Sequence, residues 1–252
     1  MADLVPWSSL PQCWVHIQLP GYRQLPRQHT YEGSKLEDLP PIPIELDEEC
    51  AWLMRHGTVH AEDGLHSYER DIQPSIVEKL ALEAGLKLPS SFLRFMSSPE
   101  LQARVRSCTD CYLDPGERIV QTVGKIPGSL VHFLSDSQSC AHWYLHVLPN
   151  GDVGVLESAD LYCYKIEHSD WIENPACRLE RIDLSELNFA YCAPSFSDFL
   201  YRFWIENEIW YVLKDANSRR HLNPLELEYV GHYSGNAPLT NGPARSEPGA
   251  PS

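Results

Sequence analysis

The sequence predicts an α+β fold: a single domain with an antiparallel or mixed sheet of about six strands flanked by helices, and an irregular N-terminal arm. Three observations predict it. The apolar period is helical on both sides of a central block and drops to two within residues 117–182. Inside that block Asn150-Gly151 separates two alternating runs, the signature of a hairpin. A long capped helix over residues 194–213 then follows the strands.

The elements follow in order. Residues 1–43 carry seven of the chain's twenty prolines, yet also Trp7, Trp14, Ile17 and Tyr22, so they read as an arm laid along the domain rather than a solvated linker. The domain itself spans residues 44–231. Residues 44–55 have helical spacing through Leu46, Cys50, Leu53 and Met54. A polar loop leads to a short helix over residues 75–85, with Pro74 before it and Gly85 at the left-handed cap. Leu88-Pro89 turns into a second helix that docks through Phe92, Leu93, Phe95 and Met96, and Ser98-Pro99 caps a third. Strands are expected around residues 119–123, 129–135, 142–148, 152–158, 161–166 and 178–182. A two-residue Asn150-Gly151 turn would pair Leu145 with Leu156 and Val147 with Gly154. Neither face of that hairpin is plainly polar, so both sides of the sheet should be covered, one by helices and the other by the arm or the last helix. Asn223-Pro224 opens a final helix ending near Gly231, and residues 232–252, rich in Gly, Pro, Ser and Asn, read as a disordered tail.

The long helix carries two apolar stripes. Phe196, Phe199, Leu200, Phe203 and Trp210 form the core face, with Asn207 its single polar member. Tyr201, Ile205, Ile209 and Val212, bordered by Glu208, form a second stripe and are the candidate partner-binding residues. The competing expectation is that the arm covers this stripe through Trp7, Trp14 and Tyr22.

Thirty-five acidic against twenty basic residues give a net charge of −15. A polyanion is repelled by such a chain, so nucleic acid and anionic membranes are poor partners, and a basic protein is favoured. Acidity also serves solubility. No apolar run reaches the length of a membrane span, and Met-Ala-Asp-Leu lacks the start of a secretory signal; both point to the cytoplasm. The eight cysteines are dispersed and read as buried thiols.

The motifs of catalysis are missing. Cys108-x-x-Cys111 is half of a zinc site without the second pair, leaving only a site completed by distant cysteines as an alternative, and Cys140 and His146 stand too far apart on one strand to share an ion. Residues 116–125 imitate a phosphate loop with the wrong spacing, and no Gly-x-Ser-x-Gly or Ser-x-x-Lys is present. His142 and His146 share a strand face with Tyr144 but have no placed partner. The expectation is therefore no catalytic residue, no bound metal, no cofactor and no enzyme activity.

Residues 85–95 (GLKLPSSFLRF), 143–153 (WYLHVLPNGDV) and 195–200 (SFSDFL), in this order and spacing, resemble the SUKH superfamily, the Smi/Knr-type domain, over residues 74–231. The resemblance implies an α+β fold and protein binding. Members are often immunity proteins that neutralise a cognate toxin by binding it, while eukaryotic relatives act as regulatory or adaptor modules, including in cell-wall control. It carries over no functional residue, because the motif positions are mostly core. The chain departs from the pattern after the Leu-Pro helix, where Ser97-Ser98-Pro99 and an inserted helix replace a Gly-rich turn. An immunity-type protein is thus the first expectation, a regulatory module the second, and an unrecognised hydrolase or metal enzyme the third.

Overall fold

A computed structural model of the chain describes residues 6–24, 30–60, 64–65, 74–116, 118–160, 181–214 and 221–234. The arm contributes β1 (Cys13–His16) and β2 (Glu32–Lys35), which pair antiparallel from Cys13↔Lys35 to His16↔Glu32. Gln12 also bridges Tyr191 in parallel, so the arm meets the edge of the main sheet. It is more regular than its proline content suggests.

Helix α1 (Ala51–His56) is shorter than the expected 44–55. Asp47 explains the late start: its carboxylate accepts from the backbone N–H of Ala51 (2.8 Å) and Trp52 (3.2 Å), so the chain before Cys50 is committed to capping. Helix α2 (Pro74–Glu83) ends at Gly85 in the left-handed conformation, and α3 (Ser90–Met96) follows the Leu88-Pro89 turn. In α4 (Pro99–Gln102), Ser98 Oγ accepts from Leu101 N–H at 3.3 Å with Pro99 at the first position, as the sequence predicts.

The main sheet holds β3 (Tyr112–Leu113), β4 (Val120–Val123), β5 (Gly128–Ser135), β6 (His142–Val147), β7 (Val153–Ser158), β8 (Arg181–Asp183) and β9 (Phe189–Ala193). Its order is β8-β4-β5-β6-β7-β9, with β3 on β5; β4 and β8 run parallel and the other pairs antiparallel. The strand expected at 161–166 lies outside the described residues, as do the first residues of the one at 178–182. Strand β9 was not expected.

The hairpin register differs by one residue from the sequence expectation. Leu145 pairs with Val155 and Val147 with Val153, and Leu148 N–H donates to Asp152 O at 2.8 Å, which leaves a three-residue loop of Pro149, Asn150 and Gly151. Pro149 decides this. It has no N–H to give to the ladder and its fixed φ suits the first corner of a type I turn, while Gly151, at φ 90°, takes the left-handed position that closes it. The slip moves Val155 and Glu157 onto the face of Trp143 and Leu145.

That face packs on the helices in the larger core, where Phe92, Phe95, Phe196, Phe199 and Trp204 are each at most 1% exposed. The opposite face carries a second core of Leu130, Tyr144, Leu156 and Ile182, covered by Trp7 and Leu10 of the arm together with Leu184 and Phe189. Helix α5 (Phe196–Lys214) starts at a capping box: Ser195 Oγ accepts from Asp198 N–H at 3.0 Å and its hydroxyl donates to the Asp198 carboxylate. Helix α6 (Pro224–Ser234) runs past Gly231 into the first residues expected to be tail, and residues 235–252 lie outside the described residues.

Candidate functional site

Tyr201, Ile205, Glu208 and Ile209 do not form a contact surface. Each is at most 1% exposed, and Val212 is half-buried. Trp52 of α1 packs edge-on against Tyr201 (5.7 Å between ring centroids) and Trp204 (5.6 Å), while Trp14 of the arm packs against Phe199 (5.6 Å) on the other stripe. The second stripe is therefore core, with Tyr201 covered by Trp52 of a short helix whose position the sequence did not disclose.

The polar residues in the middle of α5 form a hub. Glu206, Asn207 and Glu208 are 2%, 3% and 1% exposed, and successive helix residues point about 100° apart, so the three fan out to different neighbours. Glu206 Oε2 meets Arg23 Nη2 at 2.8 Å and Oε1 accepts from Tyr229 OH at 2.7 Å. Arg23 also donates to Ile17 O (3.0 Å) and Tyr233 OH (2.8 Å), so the arm and α6 converge on one carboxylate. Burial alone would push Glu206 up; the charge and hydrogen bond of Arg23 instead hold it below its ordinary value. Asn207 Oδ1 accepts from Cys108 N–H (2.7 Å) and Nδ2 donates to Phe203 O (2.8 Å). Glu208 takes a bidentate grip from Arg106, Nε at 3.0 Å and Nη2 at 3.1 Å, and lies 2.7 Å from His60 Nε2. The guanidinium in turn sits 3.9 Å over the Tyr211 ring. These are structural ion pairs. The sequence signal was a run of three polar residues inside a helix apolar on two sides.

The second face of the sheet carries a row of buried histidines. Ser135 Oγ lies 3.1 Å from His132 Nε2, 2.8 Å from His142 Nδ1 and 3.1 Å from Asp114 Oδ2. The residue types match a hydrolase triad, but the geometry does not: Asp114 contacts the serine rather than orienting a histidine, and Ser135, His132 and His142 are at most 2% exposed. Burial pushes His132 down to about 3 and His142 to about 4, so both are neutral hydrogen-bonding groups at neutral pH.

His146 anchors the arm. Trp7 Nε1–H donates to its Nδ1 at 2.8 Å, which leaves the proton on Nε2 for Thr122 Oγ1, also 2.8 Å away, and Thr122 passes its own hydrogen to Ile126 O at 2.9 Å. Burial lowers His146 to about 4. Trp7 stacks on Tyr191, centroids 5.1 Å apart, and lies over Gly154, where a Cβ would come within 3.1 Å of the indole. A glycine inside a strand is the sequence signal for such an approach.

Cys108 and Cys111 are held by structure as well. Tyr31 OH donates to Asp136 Oδ1 at 2.8 Å, and lies 2.8 Å from Thr109 Oγ1 and 3.5 Å from Cys111 Sγ. Burial pushes both thiols up, Cys111 to about 11, so neither is a ready thiolate. Among the described residues no group of three or more His, Cys, Asp or Glu is placed to hold a metal ion, and no helix is long and apolar enough to cross a membrane. No protein-family model, curated protein or solved structure matches this chain.

Proposed function

We propose that this chain is a non-enzymatic protein-binding module of the SUKH type, with an immunity-type role: it neutralises a toxin by covering it. One observation supports the reading above the others. The three segments that carry the resemblance are distant in sequence, yet they are joined through one aromatic cluster. Phe92 of the Leu-Pro helix packs against Phe133 of β5 (5.9 Å) and Phe196 of α5 (5.1 Å), and Phe133 packs against Phe196 (5.5 Å) and Phe199 (5.3 Å). Strand β5 pairs along its length with the 143–153 hairpin. The motifs thus share one core.

The charge of −15 suits capture of a basic toxin domain, because complementary fields speed encounter while a desolvated centre supplies affinity. A partner of this kind places the protein in the cytoplasm, where the toxin acts. The test is genetic. The reading requires a large toxin gene beside this one, whose product, expressed alone, should arrest growth; co-expression of this chain should restore it, and the two should co-elute as a complex. A neighbour that is harmless yet binds would replace the immunity role with that of a regulatory adaptor. Toxicity that this chain leaves unrelieved, with no complex formed, would end the reading.

A further inference from the structure

We infer that the face built by α2 and the turn into α3 is a self-complementary surface on which two copies of this chain pair about a two-fold axis. The face holds a groove of about 580 Å³ walled by Leu86, Leu88 and Leu93. Leu82 stands at its rim with 80% of its surface exposed, the largest exposure of any large apolar side chain described. A protruding leucine beside an apolar hollow is what an isologous contact requires, since the knob of each copy must find a hole on the other.

The rim charges point the same way. Glu78 lies one turn before Leu82 on the same helix face, and Lys87 lies past the helix end, on the far side of Leu82 along the chain; both line the groove and both are exposed. A two-fold axis through the Leu82 pair reverses α2 against its copy, which sets Glu78 of each chain toward Lys87 of the other. Among the described residues Lys87 makes no ion pair of its own, whereas Lys79 on the same rim is 3.9 Å from Glu83. The chain has only six lysines, and two of them are here, so this face is locally mixed in sign on a molecule of net charge −15. A rim with one anion and one unpaired cation disposed about a central knob complements itself better than it complements a partner of either single sign.

Two copies repel at long range through their net charge, and salt screens that repulsion more than it weakens the two short-range rim pairs, while leaving the apolar contact intact. The association is therefore reversible and tightens as sodium chloride is raised. This goes beyond toxin capture and does not depend on it.

Sedimentation velocity on the full chain, from low micromolar to the highest soluble concentration and at low and high sodium chloride, tests the proposal. The wild type should pass from monomer to dimer, further at high salt. Leu82→Glu should weaken the dimer by at least about 100-fold without lowering the melting temperature, because Leu82 is exposed in the monomer. Glu78→Lys and Lys87→Glu should each weaken it by about tenfold, and the double reversal should recover most of the loss. A wild type that stays monomeric throughout would leave the groove to a foreign helix or an anionic amphiphile and overturn the proposal. So would a dimer indifferent to Leu82→Glu, or a double reversal no better than its parents.

Discussion

Single residues carry unequal shares of this fold. Phe199 touches Trp14, Phe133, Trp143 and Phe203 at centroid distances of 5.3 to 6.0 Å, so truncation opens a cavity where arm, sheet and helix meet. Phe199→Ala should cost about 3 to 5 kcal/mol in chemical denaturation. A loss under about 1 kcal/mol would contradict the packing. Ile205→Asp should likewise destabilise by several kcal/mol, about 3 or more, because the side chain is fully buried beneath neighbouring elements and the new carboxylate has no cation assigned to it. An Ile205→Asp protein with normal stability would return that stripe to the surface. Glu208 differs from both. Its removal leaves Arg106 without its bidentate carboxylate, and a loss of about 3 to 5 kcal/mol is expected for Glu208→Ala.

At the scale of elements, the β6–β7 hairpin shows how a turn sets a register. Gly151 meets nothing within 4 Å of an added Cβ, so the cost of Gly151→Ala is purely that of forcing an L-residue to φ 90°, about 1 to 2 kcal/mol in equilibrium unfolding. A neutral effect would contradict a left-handed Gly151. The C-terminal helix gives a second test. Tyr233 takes a hydrogen bond from Arg23, and His232 Nε2 lies 3.0 Å from Asp38 O, so its last turn ties to the arm. Removing residues 235–252 should leave the melting temperature within a few degrees of wild type, whereas removing residues 232–252 should lower it further. Equal melting temperatures for the two truncations would show that these ties contribute nothing.

For the whole molecule, buried titratable groups set the response to pH. His132, His142 and His146 have folded values of about 3, 4 and 4, below their ordinary 6.5. The folded state binds their protons less well than the unfolded chain does. Their neutral forms therefore contribute fully above pH 6.5, and stability is lost as pH falls from there toward 4, each group costing on the order of 3 kcal/mol. Glu157 works in the opposite sense. Burial raises it from 4.5 to about 7, so its protonated form suits the fold and stability is lost as pH rises between those values. Thermal denaturation across pH 4 to 8 should show a net loss on the acid side, with three groups outweighing one. Glu157→Gln should stabilise the protein at pH 8 by about 1 to 3 kcal/mol and change little at pH 4. A wild type equally stable at pH 4 and pH 7 would mean that the histidine row is open to water.

Much was legible along the chain because it depended on neighbours in sequence. The Ser195 and Ser98 caps, the Gly85 stop, the Leu88-Pro89 turn and the period-two strands rest on local hydrogen bonds, fixed dihedrals and alternation, and these the amino-acid order determined by itself. The tertiary structure decided the rest. That neither apolar stripe on α5 would face solvent could not be read locally, since Trp52, His60 and Arg106 reach the second one from dozens of residues or more away. The roles of Glu206, Asn207 and Glu208 as a hub, of His146 as the anchor for Trp7, and of β9 as a strand were likewise set by long-range packing. A polar side chain becomes a functional group, an ion pair or a surface charge according to what is folded over it, and that covering is the part of this protein that only its three-dimensional structure supplied.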